Sequence, residues 1–127
     1  MSDWTSKTAL EIASAVRNGD ASAVEVAQAH LDGVASIDPK LNAFRVVSGE
    51  LALEQAKAVD AKRAKGETLG SLAGVPIGLK DIFVTKGIET TSANNKVNLN
   101  GVRNGDATSV AIKLVPGGIT AINGAAN

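Results

Sequence analysis

Two adjacent residues of this chain could do chemistry: Lys80 and Asp81, which interrupt the apolar stretch LAGVPIGLKDIFVTKG, residues 72–87. The stretch is otherwise typical of a buried strand. A buried ammonium group is costly unless it is paired, hydrogen-bonded or driven neutral, and a desolvated lysine can serve as a general base. Two interpretations follow. Either Lys80 lies at a solvated kink between two short strands and pairs with a carboxylate, or it is placed there for catalysis.

The other candidate nucleophiles, bases and ligands are weaker. Ser71, Ser92 and Ser109 could act as nucleophiles, but their surroundings are typical of turns and helix caps. The single histidine, His30, falls in a helical pattern and is interpreted as a half-exposed surface residue without partners for a metal site. No glycine pattern of the phosphate-binding kind opens a helix. The sequence therefore predicts no metal and no cofactor.

Two capping-box patterns predict the elements that come first. Thr8 with Glu11 and Ser22 with Glu25 each place a hydroxyl three residues before a carboxylate, ahead of an apolar stripe. A short turn containing Gly19 joins the two helices, so we expect them to pack as an antiparallel pair. The expected apolar stripes are Leu10, Ile12, Ala13 and Val16 in the first helix and Val26, Ala27, Leu31 and Val34 in the second.

The chain that follows predicts a strand, a helix and a further strand region. The second helix is expected to end before Pro39, and the alternation in residues 42–47 predicts a strand. A third helix is expected from Ser48 to about Lys65, with Leu53, Ala56 and Val59 as its inner stripe. Its charged residues are interpreted as a solvated face: Glu50, Glu54, Lys57, Asp60, Lys62 and Arg63.

The last part of the chain, from Ser92 onward, is rich in Asn and Gly and poor in charge. Its two Asn-Gly pairs favour a hairpin or an irregular loop. A helix could start at Asp106, but Pro116 would stop it early. The last ten residues are small and weakly patterned.

The composition excludes several classes of function. Thirteen basic residues balance thirteen acidic ones, so the chain lacks the electrostatic footprint of a nucleic-acid-binding protein. No apolar run approaches the roughly 20 residues that a membrane span needs, and no secretory signal is recognisable at the N-terminus. The absence of cysteine fits a reducing compartment, so a cytoplasmic location is expected. Because only Trp4, Phe44 and Phe83 are aromatic, the core must be built from aliphatic side chains.

The segment LAGVPIGLKDIFVTKGIETTS resembles the lysine-bearing segment of the amidase signature family. Upstream, TALEIASAVRNGDASAVEVAQAHLDGVASIDPKLNAF is similar in order and spacing to the N-terminus of the A subunits of aspartyl/glutamyl-tRNA amidotransferases, the closest resemblance within the family. Beyond residue 92 the similarity to the family is limited to DAT, residues 106–108, and a distant similarity in GGITAINGAAN. We therefore expect an amidase-like N-terminal segment, residues 1–91, and a divergent, weakly amidase-like tail, residues 92–127.

The resemblance implies an α/β fold, in which this chain supplies an N-terminal helix pair and the first strands of a mixed sheet flanked by helices. It also implies amide hydrolysis by a Ser, cis-Ser and Lys triad. Lys80 matches the family's lysine, which takes the nucleophile's proton through the second serine, and Asp81 is expected to support it by accepting backbone amides. The family's two serines lie in a Gly/Ser-rich segment that this sequence lacks. We therefore expect the chain to be inactive alone.

Three functions remain open on these grounds. The first is the N-terminal portion of an amidotransferase subunit that hydrolyses glutamine and supplies ammonia to mischarged Glu- or Asp-tRNA, with other subunits or further copies of itself as partners. The second is a non-catalytic assembly module, which would be marked by an exposed apolar patch on the first two helices. The third is a fragment of another hydrolase of small amides. Because the strands expect neighbours, we predict that the chain is weakly stable, oligomeric or dependent on a partner.

Overall fold

The computed structural model describes residues 3–83, residue 88 and the backbone of residues 119–123. The hairpin and the Asp106 helix expected in the tail lie outside these residues. The elements in chain order are a short 3-10 helix, Trp4–Ser6, followed by α1, Ala9–Asn18; α2, Ala23–Leu41; α3, Gly49–Ala64; β1, Val75–Leu79; and β2, Ile119–Asn123.

Helix α1 begins with the predicted capping box. The Glu11 N–H donates to the Thr8 hydroxyl at 3.3 Å, and the Thr8 N–H donates to the Glu11 carboxylate at 2.8 Å. Gly19 ends the helix in the left-handed conformation, at φ 85°. Ile12, Ala13 and Val16 are buried as expected. Leu10 is not: it is 72% exposed, because it follows the cap on the side away from the core.

Helix α2 is longer than the sequence predicts. It begins with half of the predicted capping box: the Glu25 N–H donates to the Ser22 hydroxyl at 2.9 Å, but the Glu25 carboxylate accepts the Trp4 indole N–H at 2.8 Å instead of the Ser22 N–H. It continues through Pro39 to Leu41. A proline in the last turn removes only one backbone hydrogen bond, so the helix tolerates it there. The prediction that α2 stops before Pro39 is therefore wrong.

Residues 42–47 form a loop, not the predicted strand. Asn42 ends α2 in the left-handed conformation, and its N–H donates to the Asp38 carbonyl at 2.7 Å. The next two amides, of Ala43 and Phe44, donate to the Asp38 carboxylate at 2.7 and 3.1 Å. Because a side chain takes these backbone donors, they do not enter a strand ladder. Ser48 then precedes α3 as its N-cap.

The helices pack around a core of small aliphatic side chains. Helix α2 lies along α3 far more extensively than along α1, so the predicted α1–α2 antiparallel pair is not the main helical contact. In α3 the buried stripe is Ala52, Ala56 and Val59. The largest fully buried side chains in the described part of the chain are Val16, Val26 and Val59, joined by the indole of Trp4.

Two charged residues of α3 do not belong to a solvated face. Asp60 accepts the N–H groups of Ala23 and Val24, at the start of α2, at 2.8 and 3.1 Å. Arg63 donates to the carbonyls of Val16 and Ala21, at the end of α1 and in the turn, at 2.9 and 2.7 Å. We call this arrangement the Asp60–Arg63 clasp. It places a negative charge at a helix N-terminus and a positive charge at a helix C-terminus, as the helix dipoles favour.

The two strands are parallel neighbours. Val75 pairs with Ile119 and Leu79 with Asn123, so β2 forms within the weakly patterned end of the tail. β1 lies against α1 and α2, and the backbone of β2 lies beside α3. Gly74, just before β1, has φ 76°, and a Cβ there would meet the Val16 side chain at 2.9 Å. The close approach of β1 to the helices therefore depends on a glycine.

Candidate functional site

Strand β1 leads directly into the candidate site. Lys80 follows its last residue, Leu79, and the N–H of Phe83 donates to the Lys80 carbonyl at 3.0 Å, which closes a turn over residues 80–83. Lys80 is exposed, because the strand ends one residue before it. The turn fits the kink that the sequence suggested, and the strand expected after it lies outside the described residues.

The pairing of β1 with β2 shows which part of the chain lies beside Lys80 at the edge of the sheet. The carboxyl ends of parallel strands meet at one edge, which is where ligands bind in α/β sheets. Leu79 is paired with Asn123, so the backbone at the end of β2 lies beside the residue that precedes Lys80. Lys80 is therefore at the edge of the strand pair where chemistry is usually placed.

The aspartate next to Lys80 is buried. The side chain of Asp81 is 7% exposed, and its Oδ2 lies 3.8 Å from the Nε of Arg45, whose side chain is 35% exposed. The separation is longer than a hydrogen bond, so this contact is an ion pair. Sequence reasoning did not single out Arg45. The complementary charges were the only sequence feature that could have indicated the pair, since the two residues lie on different loops.

The predicted serine candidates are not brought to Lys80 in the part of the chain that the structure describes. Ser71 lies in an exposed turn before β1, where its carbonyl accepts a hydrogen bond from the Arg17 guanidinium at 2.7 Å. Lys80 follows the other end of β1, and a five-residue strand is about 16 Å long. Ser92 and Ser109 lie outside the described residues.

His30 is half-buried on α2, as the sequence suggested. Its Nδ1 lies 2.8 Å from the Val26 carbonyl. Because a carbonyl only accepts, Nδ1 carries the hydrogen of this bond. The ring lines an apolar cleft of about 220 Å³ between the 3-10 helix, α2 and the loop after it, whose rim includes Ile37 and Leu41. Within residues 3–83 no three His, Cys, Asp or Glu side chains are grouped as metal ligands would be.

None of the helices in the described part of the chain combines the length and the apolar character that a membrane crossing requires.

The comparison with known families assigns the chain to a class. The family model described as Amidase matches residues 25–119, which include Lys80, Asp81 and Arg45. The match covers more than half of the chain. The chain therefore belongs to the amidase family, as its resemblance to the amidase signature sequences indicated.

Individual relatives show which proteins of the amidase family this chain is similar to. Over 94 residues the chain is 52% identical to the A subunit of the glutamyl-tRNA(Gln) amidotransferase of Salinispora arenicola, an alignment that covers 74% of this chain and 19% of the relative. The corresponding protein of Streptomyces coelicolor is 54% identical over 91 residues, covering 72% of this chain and 18% of that one. The chain thus spans about a fifth of the length of the curated relatives it matches.

A solved structure gives a similar result for the fold. The bacterial aryl acylamidase of the amidase signature family superposes with a TM-score of 0.65 at 37% identity, covering 68% of this chain and 18% of the other. The described part of the chain is therefore similar in fold to a part of an amidase-signature enzyme, and it consists mainly of helices with the β1–β2 pair.

Proposed function

We propose that this chain is the N-terminal portion of the amidase-type subunit of a tRNA-dependent amidotransferase, and that Lys80 is the general base of its Ser, cis-Ser and Lys triad. The observation that carries the proposal is the place of Lys80, immediately after β1 and within the residues matched to the amidase family. The identity to the glutamyl-tRNA(Gln) amidotransferase A subunits supports the choice within the family.

In the proposed reaction the protein hydrolyses the side-chain amide of glutamine. The serine attacks the amide carbon, its proton passes through the second serine to Lys80 and then to the leaving nitrogen, and ammonia departs to leave a serine ester. Water then attacks this ester, which releases glutamate and restores the serine hydroxyl. A partner subunit uses the ammonia to amidate mischarged Glu- or Asp-tRNA. No metal or cofactor is part of this proposal. Asp81 is proposed to support the turn that carries Lys80.

We also propose that β1 and β2 are the first strands of a larger mixed sheet flanked by helices, and that residues 92–127 are the divergent part of the chain. Because Lys80 is exposed to solvent, the residues that the structure describes do not enclose the proposed active site. In this proposal the serines and the walls that would desolvate the lysine come from sequence that this chain does not contain. The isolated chain is therefore proposed to be inactive.

A chimera tests the proposal. Residues 5–91 of this chain replace the corresponding segment of the Salinispora arenicola relative, and glutamine hydrolysis is measured by ammonia release in the assembled enzyme. We expect activity in the chimera and its loss, by about 10²-fold or more, in Lys80→Met. The matched control is Lys57→Met, an exposed lysine on α3. A folded chimera that hydrolyses glutamine equally well with and without Lys80 would contradict the proposal.

The alternative of an assembly module has one observation in its favour. Ile37 and Leu41, near the end of α2, are 56% and 64% exposed and line the same apolar cleft. Leu10 on α1 is 72% exposed, and exposed apolar side chains on the first two helices are what this function predicts. The relatives are named as subunits, so the occupant proposed for this surface is another protein of the amidotransferase complex.

Binding to the purified partner subunits of the Salinispora arenicola enzyme tests the alternative. We expect Ile37→Asp with Leu41→Asp to abolish binding, while Ile82→Asp, which changes an equally exposed apolar residue outside these helices, leaves it intact. Equal binding by both variants would rule the surface out.

A further inference from the structure

We propose that Arg45 is a positioning residue for Lys80, acting through Asp81. This inference rests on the proposed function of Lys80, and it assigns a role in that function to Arg45. It begins with the buried carboxylate of Asp81. An ionised carboxylate that is removed from water needs a compensating charge, and the Arg45 guanidinium lies 3.8 Å from it.

The loop that carries Arg45 is held firmly. The left-handed Asn42 turns the chain at the end of α2, and the carboxylate of Asp38 accepts the amides of Ala43 and Phe44. Arg45 is the next residue. Its guanidinium is therefore presented by a backbone whose donors are already fixed, and it reaches a carboxylate in a different loop.

Asp81 transmits this constraint to Lys80 because the two are neighbours in one tight turn. The N–H of Phe83 donates to the Lys80 carbonyl, so the backbone between them cannot move independently of Asp81. The positive charge of Arg45 offsets the negative charge of the buried carboxylate, so the ion pair holds Asp81 in place. Arg45 thus orients the turn that carries Lys80.

Competitive labelling of lysines in the intact 127-residue chain tests this role. Trace acetic anhydride at one fixed pH acetylates the amines, and mass spectrometry gives the labelling of Lys80 relative to Lys57, an exposed lysine on α3. In Arg45→Ala we expect this ratio to fall about two- to fivefold, because the loosened turn no longer holds the exposed Lys80 amine in place. Arg45→Lys, which keeps the charge, should restore most of it.

Arg17→Ala is the matched control, because Arg17 ties the turn before β1 in the way that Arg45 ties the turn after it. We expect no change in the ratio. A ratio that stays at the wild-type value in Arg45→Ala, or that falls equally in Arg17→Ala, would overturn the proposal.

A double-mutant cycle separates action through Asp81 from general loosening. In an Asp81→Asn background, Arg45→Ala should have no further effect on the Lys80 ratio. An undiminished effect in that background would show that Arg45 does not act through Asp81. If Arg45→Ala does not fold, Arg45→Gln in the same cycle gives the same comparison.

The outcome is independent of the chimera assay. A labelling ratio that depends on Arg45, together with a chimera that is active without Lys80, would retain the positioning role and reject the proposed function. An active, Lys80-dependent chimera with a ratio unaffected by Arg45 would reject the positioning role alone.

Discussion

At the scale of single residues, Gly74 sets how closely β1 approaches the helices. Its φ of 76° favours glycine, and a Cβ would meet Val16 at 2.9 Å and Ala23 at 3.1 Å. We expect Gly74→Ala to lower the free energy of unfolding by about 1–3 kcal/mol, from backbone strain and overpacking together. Denaturant unfolding measures this.

Gly19→Ala separates the two causes. Gly19 also has a positive φ, of 85°, but nothing lies within 4 Å of the added Cβ. Its loss of stability should therefore be the smaller of the two and should reflect strain alone. Equal losses at both positions would show that the contact with Val16 does not matter.

The carboxylate of Glu11 gives the capping box a pH dependence. Hydrogen bonds from the Thr8 backbone and hydroxyl, assisted by the charge of Lys7, hold the pKa of Glu11 below its ordinary value of 4.5. A carboxyl with a lowered folded-state pKa contributes stability that is present above the unfolded pKa and is lost as pH falls through the folded pKa. We expect the advantage of the wild type over Glu11→Gln to be present at pH 6 and to shrink below about 4.5. Urea unfolding of both proteins at each pH measures it, and a constant difference would contradict the assignment.

At this scale the sequence indicated only part of the candidate site. It singled out Lys80 and Asp81, because charges inside an apolar segment are conspicuous. It left open whether Lys80 lies at a solvated kink or in a buried strand, and in the structure Lys80 is exposed while Asp81 is buried. The end of a strand is set by tertiary packing, which periodicity does not encode. Arg45 was missed because its contact with Asp81 depends on how two separate loops meet.

At the scale of elements, the Asp60–Arg63 clasp joins three helices. Asp60 accepts two amides of α2, and Arg63 donates to two carbonyls at the α1–α2 turn. We expect Asp60→Ala or Arg63→Ala to reduce stability by about 1.5–3 kcal/mol, since each leaves backbone groups without a charged partner. Thermal and urea unfolding measure the loss. Glu54→Ala and Lys57→Ala, exposed on the same helix, are the controls and should change it little.

The elements themselves were predicted where local chemistry decides them. The capping hydroxyls, the left-handed Gly19 and the three helices follow from short-range patterns. The predictions that failed depend on distant partners. The strand expected at residues 42–47 lost its amides to Asp38, and β2 forms in a weakly patterned segment because β1 offers it a parallel neighbour. The charges of the clasp looked solvated because a helical pattern does not show which helix ends lie opposite it.

At the scale of the whole molecule, the core is built from small side chains. Among the residues that the structure describes, many of the buried ones are alanines, and the largest that are fully buried are valines. Small side chains remove little apolar area from water. We therefore expect the isolated chain to be weakly stable, oligomeric or dependent on a partner. Size-exclusion chromatography with light scattering and urea unfolding test this expectation. A monomer that unfolds in one cooperative transition worth several kcal/mol would contradict it.

The Asp60–Arg63 clasp also bears on the order in which the chain can fold during its synthesis. When residues up to Ser48 have left the ribosome, α1 and α2 are complete, but Asp60 and Arg63, which bind the start of α2 and the end of α1, have not yet emerged from it. Until Arg63 emerges, water must hydrate the amides of α2 and the carbonyls of α1. The turn between α1 and α2 therefore reaches its final packing only after α3 has been synthesised. A pause in translation before Asp60 would keep the nascent N-terminus open to proteases and chaperones for as long as it lasts.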